Sequence, residues 1–169
     1  NKTPTSMFQK KMIDDSKKHS LTEFDSDQPW TVIRYAEILL IAAEAQVELG
    51  HPEIAQPLIN DIRTRAGLQE LPVSAITIGE VRRQYICEFV FENKIFWNYR
   101  RWRIFDQVMG ELFRPRGLFP MLDTRTNKWK YKVDFVGTND LLFLKKYYYN
   151  SISADEIKKN PKLVQNYGY

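Results

Sequence analysis

A helix that is apolar on nearly every side constrains the fold of this chain more than any other feature. It is predicted over residues 34–49, where apolar residues recur at helical spacing on one face and again on the opposite face. The first face consists of Ala36, Leu39, Leu40, Ala43 and Val47, and the second of Ile38, Ile41, Ala42 and Ala45. A helix of this kind is normally buried. We therefore expect it to lie between several neighbouring helices.

A second helix follows after a short turn, so the two helices form an αα-hairpin. Gly50 ends the first helix, and Pro52 suits the first turn of the second. Pro57 lies deeper in the second helix and removes a backbone donor, so we expect a bend or a late start there. Gly67 ends this helix. The hairpin has about 34 residues, the size of one tetratricopeptide-type unit, and the chain contains no second copy of it.

Two more helices are predicted after the hairpin. The third opens with a capping box, because the hydroxyl of Thr77 and the carboxylate of Glu80 lie three residues apart. It runs to Asn93, a residue type that tolerates the left-handed conformation at a helix end. A fourth helix, rich in arginine and aromatic residues, continues to about Met109.

The fold class is therefore mainly α, with a tetratricopeptide-like hairpin, additional helices and a small C-terminal region of β-hairpin and irregular structure. We expect a single domain over residues 1–169. Within it, residues 1–31 form a connector, residues 32–109 a helical scaffold, and residues 110–169 a tail rich in loops and hairpins. The chain ends on Tyr167 and Tyr169, which favours a docked terminus.

One strand is predicted in the tail, over residues 128–135, where apolar and charged residues alternate strictly. Trp129, Tyr131, Val133 and Phe135 share one face, and Lys128, Lys130, Lys132 and Asp134 share the other. Residues 141–149 are the candidate to pair back with this strand as a hairpin.

The aromatic residues of this strand have two interpretations. They could form a platform for a sugar ring or an anionic ligand, with cationic donors beside it. Alternatively, the aromatic face packs on the helices while the lysines stay in water. The alternation favours the second interpretation, except at Trp129, which lies nearest a loop and is our one candidate ligand-binding residue.

Two interpretations also exist for Glu88 and Glu92, which lie one turn apart on the third helix. They could be an acid–base couple, or they could be ion-pair partners of buried arginines. Arg100, Arg101 and Arg103 follow closely on the next element and favour the structural role.

No other group of residues indicates catalysis. His19 lies in a polar loop, His51 is predicted to be a turn or cap residue, and the sequence has no Gly-rich phosphate loop and no G-x-S-x-G motif. The single cysteine, Cys87, has no partner at metal-ligand spacing and is predicted to be a small buried hydrophobe. We therefore expect no enzyme activity, no catalytic residue, no metal and no cofactor.

Composition narrows the possible partners. The net charge is +4, and the 25 lysines and arginines contain no run of five or more. A nucleic-acid-binding protein usually has a denser basic patch, so we do not expect nucleic acid as a partner. No apolar run approaches the ~20 residues of a membrane helix. The chain starts at Asn1 without a visible export leader, and we expect it to be an internal or C-terminal piece.

Three blocks, in order, resemble the C-terminal part of the SusD/RagB family of outer-membrane glycan-binding lipoproteins. The first, IRYAEILLIAAEAQVELG followed by AQPLINDIRTRAGL, is similar to the family signature R-[YL]-AE-x-LL-x-AEA…ELG…A…IN-x-R-x-RAGL. Its matching residues are Arg34, Tyr35, Ala36, Glu37, Ala43, Glu44, Ala45, Asn60, Arg63, Arg65, Ala66 and Gly67. The second block, RRQYICEFVFENKIFWNYRRW, is similar to ER…EL-x-FEG-x-R-[FW]-x-D-x-RRW, and the third, NPKLVQNYGY, to NP-x-L-x-QNPG[WY].

The sequence departs from these patterns at three positions. Asn93 stands where the family usually has Gly, Asn98 where it has Asp, and Tyr167 where it has Pro. At Asn98, an ion pair with an arginine would become a neutral hydrogen bond. The three blocks read as scaffold, so the resemblance assigns no glycan-binding residue.

The resemblance implies a SusD-like fold and non-catalytic capture of an oligosaccharide or polysaccharide at the cell surface for nutrient uptake. The implied partners are the glycan, a SusC-like TonB-dependent outer-membrane transporter and the missing N-terminal part of the same protein. The implied location is the outer membrane, reached only through an N-terminal lipid anchor that this chain does not contain. The alternative function is a helical-hairpin module that binds another protein and no sugar.

Overall fold

The computed structural model describes residues 9–13, 29–109, 114–137 and 141–169. These residues contain six α-helices, two short 3-10 helices and one two-stranded antiparallel sheet. The predicted fold class, mainly α with a small hairpin, is confirmed. The chain divides into two compact units, residues 10–95 and residues 96–169 with Gln9. The predicted connector, residues 1–31, lies largely outside the described residues, and the division into connector, scaffold and tail stays a prediction.

The first unit is a three-helix core. It consists of α1 (Tyr35–Glu48), α2 (Pro52–Arg65) and α3 (Ile78–Phe89), with a 3-10 turn at Val73–Ala75. α1 packs against both α2 and α3, so the predicted αα-hairpin is confirmed and α3 completes the core. The completely buried apolar side chains are Leu40, Ala43, Ala55, Ile59, Val81 and Phe89.

α2 contains two prolines and is nevertheless continuous. It begins at Pro52 and runs through Pro57, so the late start expected at Pro57 is wrong. A proline inside a helix removes one backbone hydrogen bond. Burial of the neighbouring Ala55 and Ile59 offsets that loss.

α1 is buried on one face only. Leu39, Leu40 and Ala43 face α2 and α3, whereas Ile38 and Ile41 are 51% and 49% exposed. The prediction of burial on every side is therefore wrong for this second face. The physical reason is that no neighbour among the described residues covers it.

The ends of these helices follow the local sequence. Gly50 and Gly67 come after α1 and α2 with φ of +82° and +71°, the left-handed conformation of a helix end. The Thr77 hydroxyl oxygen accepts a hydrogen bond from the Glu80 amide at 3.2 Å, as the capping box predicts. Asn93 also has a positive φ, +57°, although α3 itself already ends at Phe89.

The predicted fourth helix is in fact two short helices. α4 (Ile95–Arg101) and α5 (Phe105–Met109) are separated at Arg103, which has a φ of +57°. The prediction of one helix to Met109 is therefore wrong. The left-handed conformation of Arg103 interrupts the helical hydrogen-bond series, and its guanidinium lies 4.6 Å from the ring centroid of Tyr149.

Aromatic side chains form the core of the second unit. Phe105 and Phe143 stack with their ring centroids 4.2 Å apart. Further rings meet this pair edge-on or at a steep angle: Phe96, Tyr99, Tyr147 and Tyr148. Part of the aromatic content of the chain is thus explained by this cluster.

The sheet is a hairpin of β1 (Arg116–Asp123) and β2 (Lys128–Phe135). β2 was predicted, but its partner was not: residues 141–149 do not pair with it in the described sheet and instead include a 3-10 helix at Lys145–Tyr148. β1 contains Pro120, which removes a ladder donor and masks the strand pattern in the sequence. A final short helix, α6 (Ala154–Lys159), follows.

The C-terminus is docked, as predicted from its tyrosines. The Gln165 side chain accepts from the Ile152 amide and donates to the Ile152 carbonyl, both at 2.8 Å. The Tyr169 hydroxyl donates to the Tyr149 carbonyl at 3.1 Å. None of the helices in the described part of the chain is long and apolar enough to cross a membrane.

Candidate functional site

The register of the hairpin gathers apolar side chains on one face. Residues directly opposite each other on neighbouring strands share a face of the sheet. The pairs on this face are Arg116 with Phe135, Leu118 with Val133, Pro120 with Tyr131, and Leu122 with Trp129. We call the seven apolar members of these pairs the aromatic face: Leu118, Pro120, Leu122, Trp129, Tyr131, Val133 and Phe135.

The aromatic face is open to solvent. Trp129 is 63% exposed and Tyr131 61%, and Val133 and Phe135 are exposed as well. The expectation that this face packs on the helices is therefore wrong. That expectation did not include Trp129, which lies beside the turn at residues 124–127. The role of Trp129 in ligand binding stays a prediction.

Such a face is unusual for a structure that stands alone. A two-stranded hairpin is marginally stable in water unless its apolar side is covered. Large contiguous apolar patches on a protein surface mark interaction sites. The aromatic face is therefore the best candidate for a binding surface among the described residues.

The opposite face of the hairpin carries charges. Lys130 Nζ lies 2.8 Å from Asp123 Oδ2, and Lys132 Nζ lies 2.6 Å from Asp134 Oδ2. The hydrogen bond from Lys130 holds the pKa of Asp123 below its usual value, and the one from Lys132 lowers the pKa of Asp134. Both aspartates are therefore ionised at neutral pH, and each offsets one lysine.

The hairpin region also accounts for the charge of the whole chain. Residues 114–137 contain six arginines and lysines but two aspartates, a net charge of +4. The complete chain has the same net charge, +4, so all other residues together are neutral. This concentration does not form an uninterrupted basic run in the sequence, because the cations are interleaved with apolar residues.

Two arginines mark one end of the aromatic face. The guanidinium carbons of Arg114 and Arg116 each lie 5.2 Å from the ring centroid of Phe135. Trp129 marks the other end, six residues along β2, about 20 Å away at the rise of an extended strand. The row is thus long enough to contact several units of an extended polymer.

Glu88 and Glu92 form an ion-pair network in the first unit. Arg34 donates from Nη1 to Glu88 Oε1 at 2.5 Å and from Nε to Glu92 Oε2 at 2.8 Å. Arg65 pairs with Glu88 as well, and Lys11 with Glu92. The structural interpretation is confirmed, but the partners come from earlier in the chain than the predicted arginines.

The electrostatics of Glu92 do not suit acid–base chemistry. Burial raises its pKa, but the hydrogen bonds from Arg34 and Lys11 and the charges of these two residues outweigh burial, so the pKa lies below its usual value. A general acid at neutral pH needs a raised pKa. Glu92 is instead ionised at neutral pH and pairs with cations.

The three arginines that were predicted to partner these glutamates make other contacts. Arg100 donates to the Tyr148 carbonyl at 2.7 Å, and the Arg103 guanidinium lies over the ring of Tyr148 at 4.9 Å. Arg101 donates to Asn98 Oδ1 at 3.1 Å, the neutral hydrogen bond expected where the family usually has Asp.

The signature residues of the first block hold the helices together. Glu37 accepts hydrogen bonds from the Tyr85 hydroxyl at 3.1 Å and from Lys94 Nζ at 2.8 Å. The Asn60 side chain bonds both the amide and the carbonyl of Leu71, at 2.9 and 3.1 Å. These contacts agree with the interpretation of the motif as scaffold.

The remaining candidate residues show no catalytic grouping. Cys87 is exposed, so the prediction of a buried thiol is wrong; the buried positions of α3 are 81, 84, 85 and 89, on another side of the helix. His51 precedes α2, as predicted for a turn or cap, with Nδ1 3.4 Å from Glu53 Oε1. His19 lies outside the described residues. Among the described residues, no cluster of His, Cys, Asp or Glu could hold a metal ion.

Comparison with known proteins identifies the class to which this architecture belongs. The SusD family matches the chain over residues 1–169, and the chain is a member of that family. No curated protein sequence is significantly similar to it.

Two solved structures agree with this assignment. A SusD-like protein from Bacteroides fragilis NCTC 9343 is 29% identical, with a TM-score of 0.63 over 83% of this chain and 26% of that protein. The structure of BT4246 is 28% identical, with a TM-score of 0.65 over 84% of this chain and 24% of that protein. The chain thus spans about a quarter of each relative.

Proposed function

We propose that this chain is part of a protein that captures an oligosaccharide or polysaccharide at the cell surface for nutrient uptake, without catalysis. The SusD family membership supports this role. The observation that carries the proposal for this particular chain is the exposure of Trp129 and Tyr131 in one row. The apolar face of a sugar ring packs well on an aromatic ring, and such a row presents several rings to one extended chain.

The carboxylates support a binding protein more than a glycosidase. Glycoside hydrolysis requires two carboxyl groups at the scissile bond, one of them with a raised pKa. Glu88 and Glu92 are both bound to Arg34, and the pKa of Glu92 is lowered. Incubation with glycans should therefore release no sugar.

The proposal extends to the partner and the location. We propose that the protein acts with a SusC-like TonB-dependent transporter in the outer membrane and is held there by a lipid anchor outside this chain. Support comes from the family resemblance of the three sequence blocks, not from a contact in the structure. Co-purification of the transporter with the full-length protein would test it.

Calorimetric binding of a polysaccharide panel to the full-length protein tests the capture role. We expect binding to at least one glycan and a clear loss of affinity for Trp129→Ala. Trp97→Ala is the matched control, because Trp97 is 61% exposed but lies on α4. Absence of binding to every glycan would contradict the proposal. An equal loss of affinity in both variants would show that the hairpin is not the binding site.

The exposed second face of α1 supports a different function, a module for protein–protein interaction. Ile38 and Ile41 lie on it, and a groove beside α1 is lined by Tyr35, Asp61 and Arg65. The sequence that precedes this region discriminates between the functions. A signal peptide with a lipidation cysteine would favour glycan capture, and further tetratricopeptide-type repeats after a cytosolic start would favour the interaction module.

A further inference from the structure

We infer that the captured glycan is acidic, with carboxylate or sulfate groups, and that it binds along the hairpin of β1 and β2. This inference rests on the proposed function and names the chemical class of its ligand. It is built from three observations on the hairpin: the open aromatic face, the concentration of positive charge, and the position of the cations relative to the aromatic rings.

The net charge of the hairpin region indicates the chemical class of the ligand. Residues 114–137 have a net charge of +4, while the rest of the chain is neutral. A local excess of one sign attracts and orients a ligand of the opposite sign. A neutral glycan would gain nothing from this arrangement, whereas a uronic acid polymer or a sulfated glycan carries complementary charge along its length.

The stacking rings and the ion-pairing arginine lie at different positions along the aromatic face. Trp129 and Tyr131 offer stacking surface, and Arg116 lies directly opposite Phe135 at the far end of the same face. A polymer that lies along the row therefore stacks on Trp129 and Tyr131 towards one end and meets the Arg116 guanidinium at the other.

Arginine suits the far end of this row. The Arg116 guanidinium presents a planar fork of donors, which binds a carboxylate or sulfate in bidentate fashion. Its position 5.2 Å from the Phe135 ring keeps it beside the aromatic face. By contrast, Lys130 and Lys132 are paired with aspartates on the opposite face.

Other anionic partners fit the hairpin less well. A single-stranded nucleic acid stacks successive bases on aromatic side chains, whereas the middle of this face is occupied by the non-aromatic residues Leu118, Pro120 and Val133. Anionic lipid would favour lysines at the rim of an inserted apolar side, but here the lysines project from the opposite face of the strand. A sugar polymer with acidic substituents fits both the rings and the arginines beside Phe135.

The experiment compares matched pairs of acidic and uncharged polysaccharides. The full-length protein is titrated with polygalacturonate and its methyl ester, and with dextran sulfate and dextran. We expect at least one acidic polymer to bind about tenfold or more tightly than its uncharged counterpart, the effect of one charge-assisted contact. Higher salt should weaken this binding.

Two variants assign the binding to the hairpin. Arg116→Gln should lower affinity for the acidic polymer about tenfold, and for any uncharged polymer by less. Lys158→Gln removes the same charge from an exposed position on α6 and is the control. Circular dichroism checks that each variant is folded.

The outcomes distinguish the two proposals. Equal binding of acidic and uncharged polymers, or equal effects of Arg116→Gln and Lys158→Gln, would overturn the inference that the ligand is acidic. The proposed role in glycan capture would still stand. Absence of binding to all four polymers and to a wider glycan panel would overturn both. Binding to single-stranded DNA or to vesicles with anionic lipid, but to no glycan, would also overturn both.

Discussion

Arg34 and Glu92 form a bidentate ion pair across 58 residues of sequence. Arg34 Nε lies 2.8 Å from Glu92 Oε2, and Nη2 lies 2.9 Å from Oε1. The Glu92 side chain is 2% exposed, and the Arg34 guanidinium also lies 4.1 Å from the centroid of the Phe89 ring. Because Arg34 immediately precedes α1 and Glu92 follows α3, the pair fixes the start of one helix to the end of another.

Arg34→Gln should destabilise the protein by about 3 kcal/mol, because it leaves the buried Glu92 without its main partner. Urea unfolding measures the change. Lys159→Gln is the control: its ion pair with Glu156 is exposed, so the change should stay within about 0.5 kcal/mol. Similar effects of both substitutions would show that the Arg34 pair adds no more than a surface contact.

Acid should destabilise the first unit through Glu92. Its folded-state pKa is below the ordinary value of 4.5, so the unfolded chain binds a proton more readily than the folded one. The stabilisation is complete above about pH 4.5 and is lost as pH falls through the lower folded-state pKa.

Unfolding free energies between pH 7 and pH 3 test this dependence. Glu92→Gln should be less stable at pH 7 and should lose less stability than the native protein on acidification. Glu156→Gln changes an exposed glutamate and serves as the control. Parallel pH profiles for the native protein and Glu92→Gln would exclude Glu92 as the source of the acid sensitivity.

The helices α1 to α3 were predictable because their signals are local. Thr77 and Glu80 cap α3 three residues apart, and Gly50 ends α1 by its own conformation. The partners of Glu88 and Glu92 were not predictable, because Arg34 reaches them over more than 50 residues and only the fold brings the three side chains together.

The candidate site was also predictable only in part. The alternation of Lys128–Phe135 identified β2 and placed Trp129 on its aromatic side. The other half of the aromatic face comes from β1, where Pro120 and a lack of strict alternation hide the strand. Whether the face is open or covered depends on tertiary packing, which the strand pattern does not encode.

Two neighbouring positions on α1 should respond very differently to truncation. Leu40 is completely buried, so Leu40→Ala should cost about 2–5 kcal/mol. Ile41 is 49% exposed, so Ile41→Ala should cost less than about 1 kcal/mol. Denaturant unfolding of this chain gives both values. A large loss for Ile41→Ala in the full-length protein alone would show that the rest of that protein covers this face.

Gly168 should tolerate no side chain, because the docked C-terminus brings it against Lys146. A Cβ at Gly168 would lie 2.8 Å from Lys146 Cβ, an atom next to the backbone that cannot swing away. Gly137 is a close control: its φ of +78° is similar to the +86° of Gly168, but a Cβ there would meet nothing within 4 Å.

Both alanine variants carry the strain of a positive φ, about 1–2 kcal/mol, and Gly168→Ala alone adds the steric clash. We therefore expect Gly168→Ala to be less stable than Gly137→Ala and to increase amide hydrogen exchange at residues 165–169. Equal stability and unchanged exchange would show that the terminus does not depend on this close approach.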